Sequence, residues 1–104
     1  MKNIVLTLDP GLLENPDLDL RYAVPDLLAA RSNGNVKDNG YDYEDQEDSS
    51  GPHLAIFLVV NDFSAALALI KQVVLTEVVL ENDLAPAAAL YIQDGALRKK
   101  VPLS

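Results

Sequence analysis

The sequence predicts an α+β domain, and three observations lead to it. Two short aliphatic, β-branched runs, NIVLTL at residues 3–8 and LAIFLVV at residues 54–60, have the length and composition of strands. Between the strand-like runs lie stretches whose apolar residues recur at helical spacing. The pairs Asn39-Gly40 and Asp94-Gly95 are strong local turn signals.

The first strand, residues 3–8, is closed by Asp9-Pro10-Gly11, a turn sequence. Residues 15–34 (NPDLDLRYAVPDLLAARSNG) admit two readings. Asn15 suits a helix N-cap with Pro16 at the first helical position, and Asp17 and Asp19 fall in the acid-favouring first turn. Leu20, Val24, Leu27 and Leu28 then form one aliphatic stripe, and Ser32-Asn33-Gly34 is a stop. Pro25 breaks or kinks such a helix, because it donates no hydrogen bond and crowds the preceding turn. Leu18, Leu20, Tyr22 and Val24 also alternate as a strand does. A helix broken near Pro25 is the preferred reading.

Residues 36–44 read as a second strand with a turn or bulge at Asn39-Gly40. Tyr41 and Tyr43 then share one face, and Asp42 and Glu44 the other. Residues 45–52 are polar and acidic, hence a loop. Residues 54–60 are apolar on both faces, so that strand is central. Asn61-Asp62 caps a second helix, with Phe63, Leu67, Ile70 and Val74 on its buried face and its end between Val74 and Glu77. The segment VVLENDLAP that follows has no firm assignment. Residues 87–93 form a strand, Asp94-Gly95 turns it, and residues 96–101 return at a sheet edge ended by Pro102.

The order β, α, β, β, α, β plus a returning strand predicts a ferredoxin-like βαββαβ sandwich with an extra C-terminal hairpin strand. Two helices cover one sheet face and leave the other partly open. All 104 residues fit one domain with an aliphatic core, since the chain has no Trp and only two Phe.

Charge and composition narrow the function. Residues 1–52 carry eleven acids and four bases, net −7, while the remainder is net −1. Such a field repels nucleic acid and anionic membrane and attracts basic proteins. Solubility alone is the competing explanation. With no cysteine there is neither a disulfide nor a thiolate metal site. The N-terminus lacks signal-peptide features and no run reaches the ~18 apolar residues of a membrane span, which leads to a cytoplasmic expectation.

The thirteen residues NGYDYEDQEDSSG hold five acids. Read from Asp42 as a calcium loop, they place Glu47 where a glycine is required, so no metal and no cofactor is expected. His53 is the single histidine and reads as a strand-start residue. No nucleophile elbow or phosphate loop is present, so no catalytic residue is assigned and the chain is not expected to be an enzyme. Arg98-Lys99-Lys100 either blunts an edge strand or pairs with the protein's own acids. The remaining candidate is a protein-binding surface of Tyr41, Asp42, Tyr43, Glu44, Asp45, Glu47 and Asp48. Tyrosine supplies contact area at low entropic cost, and carboxylates accept arginine. A solvated hairpin tip is the bland alternative.

The segments DLRYAVPDLLAARSNG, DNGYDYED and NDFSAALALI, in a short acidic cysteine-free chain, resemble small immunity proteins of bacterial contact-dependent and type VI secreted toxin systems. The likeness is one of organisation over roughly residues 17–70 and contains no diagnostic motif. It implies a cytoplasmic protein that binds a cognate toxin with a basic active-site cleft and occludes that site. The alternative is a small regulatory or assembly domain that homodimerises through its sheet.

Overall fold

The computed structural model describes residues 2–16, 18–44 and 52–103. Five strands form the main sheet: β1 (Lys2–Leu8), β2 (Val36–Glu44), β3 (His53–Val60), β6 (Ala88–Asp94) and β7 (Leu97–Val101). Their spatial order is β2-β3-β1-β6-β7, every neighbouring pair antiparallel. Helix α1 (Leu20–Arg31) carries the chain from β1 past β3 to β2, and α2 (Phe63–Thr76) carries it from β3 past β1 to β6. The molecule is thus an α+β fold with two helices on an antiparallel sheet.

Alternation in β1 sends Ile4, Leu6 and Leu8 into the layer between sheet and helices. There they meet Leu54, Ile56 and Leu58 of β3, Leu90 of β6, and the stripes Leu20/Val24/Leu28 of α1 and Ala66/Ile70/Val73/Val74 of α2. This is the predicted aliphatic core, with β1 and β3 in the middle.

Helix α1 departs from expectation at its start. Asn15 does not cap it. The Asn15 N–H donates to Asn82 Oδ1 at 2.7 Å and its carbonyl accepts from Asn82 Nδ2 at 2.7 Å. That clasp holds the chain outside the helix, which begins at Leu20 after Asp19 without a side-chain cap bond. The expected break at Pro25 does not occur either. Pro25 sits in the second turn, where one lost hydrogen bond to the Arg21 carbonyl is offset by burial of the ring beside the stripe. The stop is as read: Asn33 and Gly34 take φ of 55° and 86°, and the Gly34 N–H reaches the Ala29 carbonyl.

Asp62 caps α2 by accepting from the Ala65 N–H at 3.1 Å. The unassigned stretch after α2 is a short hairpin, β4 (Val78–Val79) with β5 (Asn82–Asp83). Its turn residues Leu80 and Glu81 have φ of 48° and 70°, the left-handed region that glycine fills without a Cβ penalty and that asparagine tolerates through local side-chain hydrogen bonds. Replacing them together with Asn-Gly is expected to stabilise the fold by about 1 kcal/mol. Chemical denaturation checks this as a raised midpoint at unchanged slope. At the other hairpin the two turn residues are Gly95 and Ala96, one position later than read, with Gly95 taking the positive φ.

The sheet face away from the helices is less open than expected. Val5 and Ala55 are fully buried there, and Thr7 is only 4% exposed. Arg98 on one edge strand donates to both carboxylate oxygens of Glu44 on the other edge, at 2.7 and 3.1 Å. Sheet twist must therefore bring these opposite edges together over the face. Both side chains are about 30% exposed, so the pair contributes no more than ~1 kcal/mol and weakens with salt. Hydrogen bonding to Glu44 raises the Arg98 pKa above its ordinary value.

Candidate protein-binding surface

Strand β2 decides which of the candidate residues meet. Its register against β3 runs Asp38↔Leu58 and then Tyr41↔Ile56, so three steps on β2 oppose two on β3. Gly40, at φ 98°, absorbs the extra residue. Side chains alternate along a strand, so the added residue exchanges the faces of everything after it. Tyr41 and Tyr43 consequently fall on the α1 side, and Asp42 and Glu44 on the other. Without the bulge the acids would face α1.

On the α1 side the two tyrosines meet a third. Tyr22 and Tyr41 pack edge to face with centroids 6.0 Å apart, and Tyr41 and Tyr43 do the same at 6.0 Å. The Arg21 guanidinium lies 4.8 Å from the Tyr22 ring and 5.2 Å from the Tyr41 ring. Hydrogen bonding with Tyr22 first, then Tyr43, raises the Arg21 pKa. Arg21 Nε is shielded without a partner, which fits a guanidinium held mainly against the rings. The three tyrosines remain 39–48% exposed. An ordered aromatic surface that is still accessible is suited to contact, because little side-chain entropy remains to be lost on binding.

Hydrogen bonding with Tyr22 also raises the Tyr41 pKa, against the opposing pull of the Arg21 charge. A raised value favours the protonated phenol in the fold. That contribution is therefore present below the ordinary phenol range and lost as pH rises through the raised value. Ultraviolet titration of the tyrosines is expected to show one ionising later than the ordinary phenol, and Tyr22→Phe is expected to return it towards the normal range.

Beside Tyr43 the surface dips into an apolar pocket of about 90 Å³. Leu8, Leu20 and Leu54 form its buried floor, and Pro10, Leu13, Pro16, Leu18 and Tyr43 complete the lining. Leu18 is 62% exposed at the rim. The 13–16 wall is held by Asn82, which is fully buried, and by Asn15 Nδ2 donating to the Leu80 carbonyl.

The acids are divided. Asp42 is exposed on the opposite face, and its carboxylate accepts the Tyr43 N–H at 2.8 Å. Glu44 is engaged by Arg98, which realises the internal pairing considered for the basic cluster. Asp45, Glu47 and Asp48 lie outside the described residues. The Gly40 N–H is likewise taken, by Asp38 at 2.9 Å. Two donors of this edge strand are thus satisfied locally, which leaves fewer of them for strand addition.

Sequence reasoning missed Tyr22, Arg21 and the leucine pocket. The signal was available in the helical reading, because Tyr22 lies off the Leu20/Val24/Leu28 stripe and so projects from the core. His53 sits 3.5 Å from Asp9 at the start of β3. Among the described residues no cluster of three potential metal ligands occurs, and no helix is long and apolar enough to cross a membrane. Comparison with protein-family models, curated proteins and solved structures returns no match.

Proposed function

We propose that this chain is an immunity-type inhibitor: it binds a basic toxin domain and occludes its active site, using the Tyr22/Tyr41/Tyr43 surface. The observation that carries this reading is the accessible aromatic cluster, ordered by Arg21 and continuous with an apolar pocket. Exposed aromatics beside a preformed pocket are what interface centres are made of. They lie in the half of the chain with net charge −7, a field that accelerates encounter with a cationic cleft. A toxin acting on phosphate-bearing substrates needs such a cleft, and the sequence offers Asp42, Asp45, Glu47 and Asp48 as competing carboxylates. We read the strand order, with β7 set aside, as the ferredoxin-like plan, a scaffold that presents α1 and β2 side by side.

The acids and tyrosines have separate roles in this account. Glu44 is tied to Arg98, so reversing its charge disturbs the fold as well as any partner. The tyrosines are the cleaner test. Homodimerisation through the sheet face is less well supported, because Val5 and Ala55 are already buried within one chain.

The test is growth of bacteria that co-express this chain with the protein encoded by the neighbouring reading frame. The expected result is growth arrest by the neighbour alone, rescue by the native chain, and loss of rescue by the Tyr22→Ala/Tyr41→Ala/Tyr43→Ala variant. Full rescue by that variant, or a neighbour without toxicity, contradicts the proposal.

A further inference from the structure

The pocket beside Tyr43 says what kind of partner segment this surface takes. Its volume of about 90 Å³ exceeds the ≈ 30 Å³ share of one water. It falls short of the ~150 Å³ cavity that holds benzene. One branched aliphatic side chain matches that size, and the apolar lining offers such a group nothing to desolvate badly.

The surroundings specify its neighbours. In the run LENPDLDL, Leu13, Leu18 and Leu20 line the pocket while Glu14 and Asp19 between them are exposed. Across the pocket stands Tyr43, whose chain neighbours Asp42 and Glu44 project from the opposite face of β2. The basic residue nearby, Arg21, is turned onto the tyrosine rings at 4.8 and 5.2 Å. The well is therefore apolar, and the exposed acids Glu14 and Asp19 stand on its Leu13/Leu18 side. Two prolines and the Asn15–Asn82 clasp stiffen its wall, so the shape exists before binding.

We infer that the pocket lined by Leu8, Leu13, Leu18, Leu20 and Tyr43 receives one aliphatic side chain of a partner protein, carried next to lysine or arginine residues that meet the acids on its Leu13/Leu18 side. This rests on the reading of the tyrosine surface as a partner-binding face and names the segment chemistry that face selects. Removing the aliphatic group loses its burial, and reversing the flanking charge sets like against like.

The experiment is a titration of the full chain, followed through its backbone amide resonances, with three synthetic peptides: Gly-Lys-Leu-Lys-Gly, Gly-Lys-Gly-Lys-Gly and Gly-Glu-Leu-Glu-Gly, each blocked at both ends. The expected result is saturable change at Leu13, Leu18, Leu20 and Tyr43 with the first. The other two are expected to bind at least about tenfold more weakly. Leu18→Lys, at an exposed rim position, is expected to remove the response and keep a dispersed spectrum. Equal response to the glycine peptide overturns the inference, since charge alone then explains binding. So does the absence of any response. Concentration-dependent change at the same amides without peptide also overturns it, by making a second copy the occupant. If the tyrosine variant fails to rescue growth while the leucine peptide leaves these amides unmoved, the anchor is wrong and the partner-binding face stands.

Discussion

Asn82→Ala is expected to destabilise the fold by about 2–4 kcal/mol, and Asn82→Asp by more at neutral pH. The side chain is fully buried. Its oxygen accepts the Asn15 N–H at 2.7 Å, and its nitrogen donates to the carbonyls of Asn15 at 2.7 Å and Leu80 at 3.1 Å. Alanine leaves the half-buried main-chain N–H and carbonyl of Asn15 without these partners and opens a cavity at a fully buried position, while the Leu80 carbonyl keeps the Asn15 Nδ2 donor. Aspartate is worse, because it turns a second acceptor towards two carbonyls and adds a desolvated charge. For a domain of this size about 1 kcal/mol moves the melting temperature by roughly 4–8 °C, so thermal unfolding reads the loss directly. The aspartate variant is also expected to respond to pH. Burial raises the carboxyl pKa in the folded state, so that variant recovers stability as pH falls through the raised value and loses it as pH rises. A melting temperature unchanged by Asn82→Ala would mean that the clasp is not what holds the pocket wall.

Gly40→Val is expected to cost about 2 kcal/mol and to scatter the tyrosine cluster. Gly40 has φ 98°, where a β-branched residue is strained even though open space surrounds the position. The chain can keep the bulge and bear the strain. It can otherwise expel the bulge, which exchanges the faces of residues 41–44 and separates Tyr41 from Tyr22. Either outcome lowers the denaturation midpoint, and the second also removes the tyrosine signal in near-ultraviolet circular dichroism. A variant with unchanged midpoint and unchanged aromatic signal contradicts the role given to the bulge.

Much of this fold is legible in the sequence because the signals are local. The runs at β1 and β3, the Asp62 cap, the Asn39-Gly40 bulge and the Ser32-Asn33-Gly34 stop each act within a few residues. The parts that escaped are set at a distance. Asn15 looks like a helix cap until Asn82, 67 residues later, takes its main-chain groups. The hairpin of β4 and β5 is hidden because Leu80 and Glu81 occupy φ values their residue types do not advertise. Pro25 is tolerated by packing that only the assembled core supplies. The Glu44–Arg98 pair needs a sheet twisted enough to join its edges, which no periodicity encodes. The candidate site shows the same division. Alternation gives the two faces of β2, but the meeting of Tyr41 and Tyr43 with Tyr22 and Arg21 is tertiary.

Tyr22, Tyr41 and Tyr43 are proposed to form the contact surface for a protein partner. Calorimetric titration of the purified product of the neighbouring gene with the native chain and with the Tyr22→Ala/Tyr41→Ala/Tyr43→Ala variant tests this. The thermal unfolding of both chains is recorded alongside. Aromatic residues at an interface centre typically cost ~2 kcal/mol or more each on truncation, so the account predicts an affinity loss of at least about 100-fold. It also predicts a folded variant. Native-like affinity in a folded triple variant would contradict it.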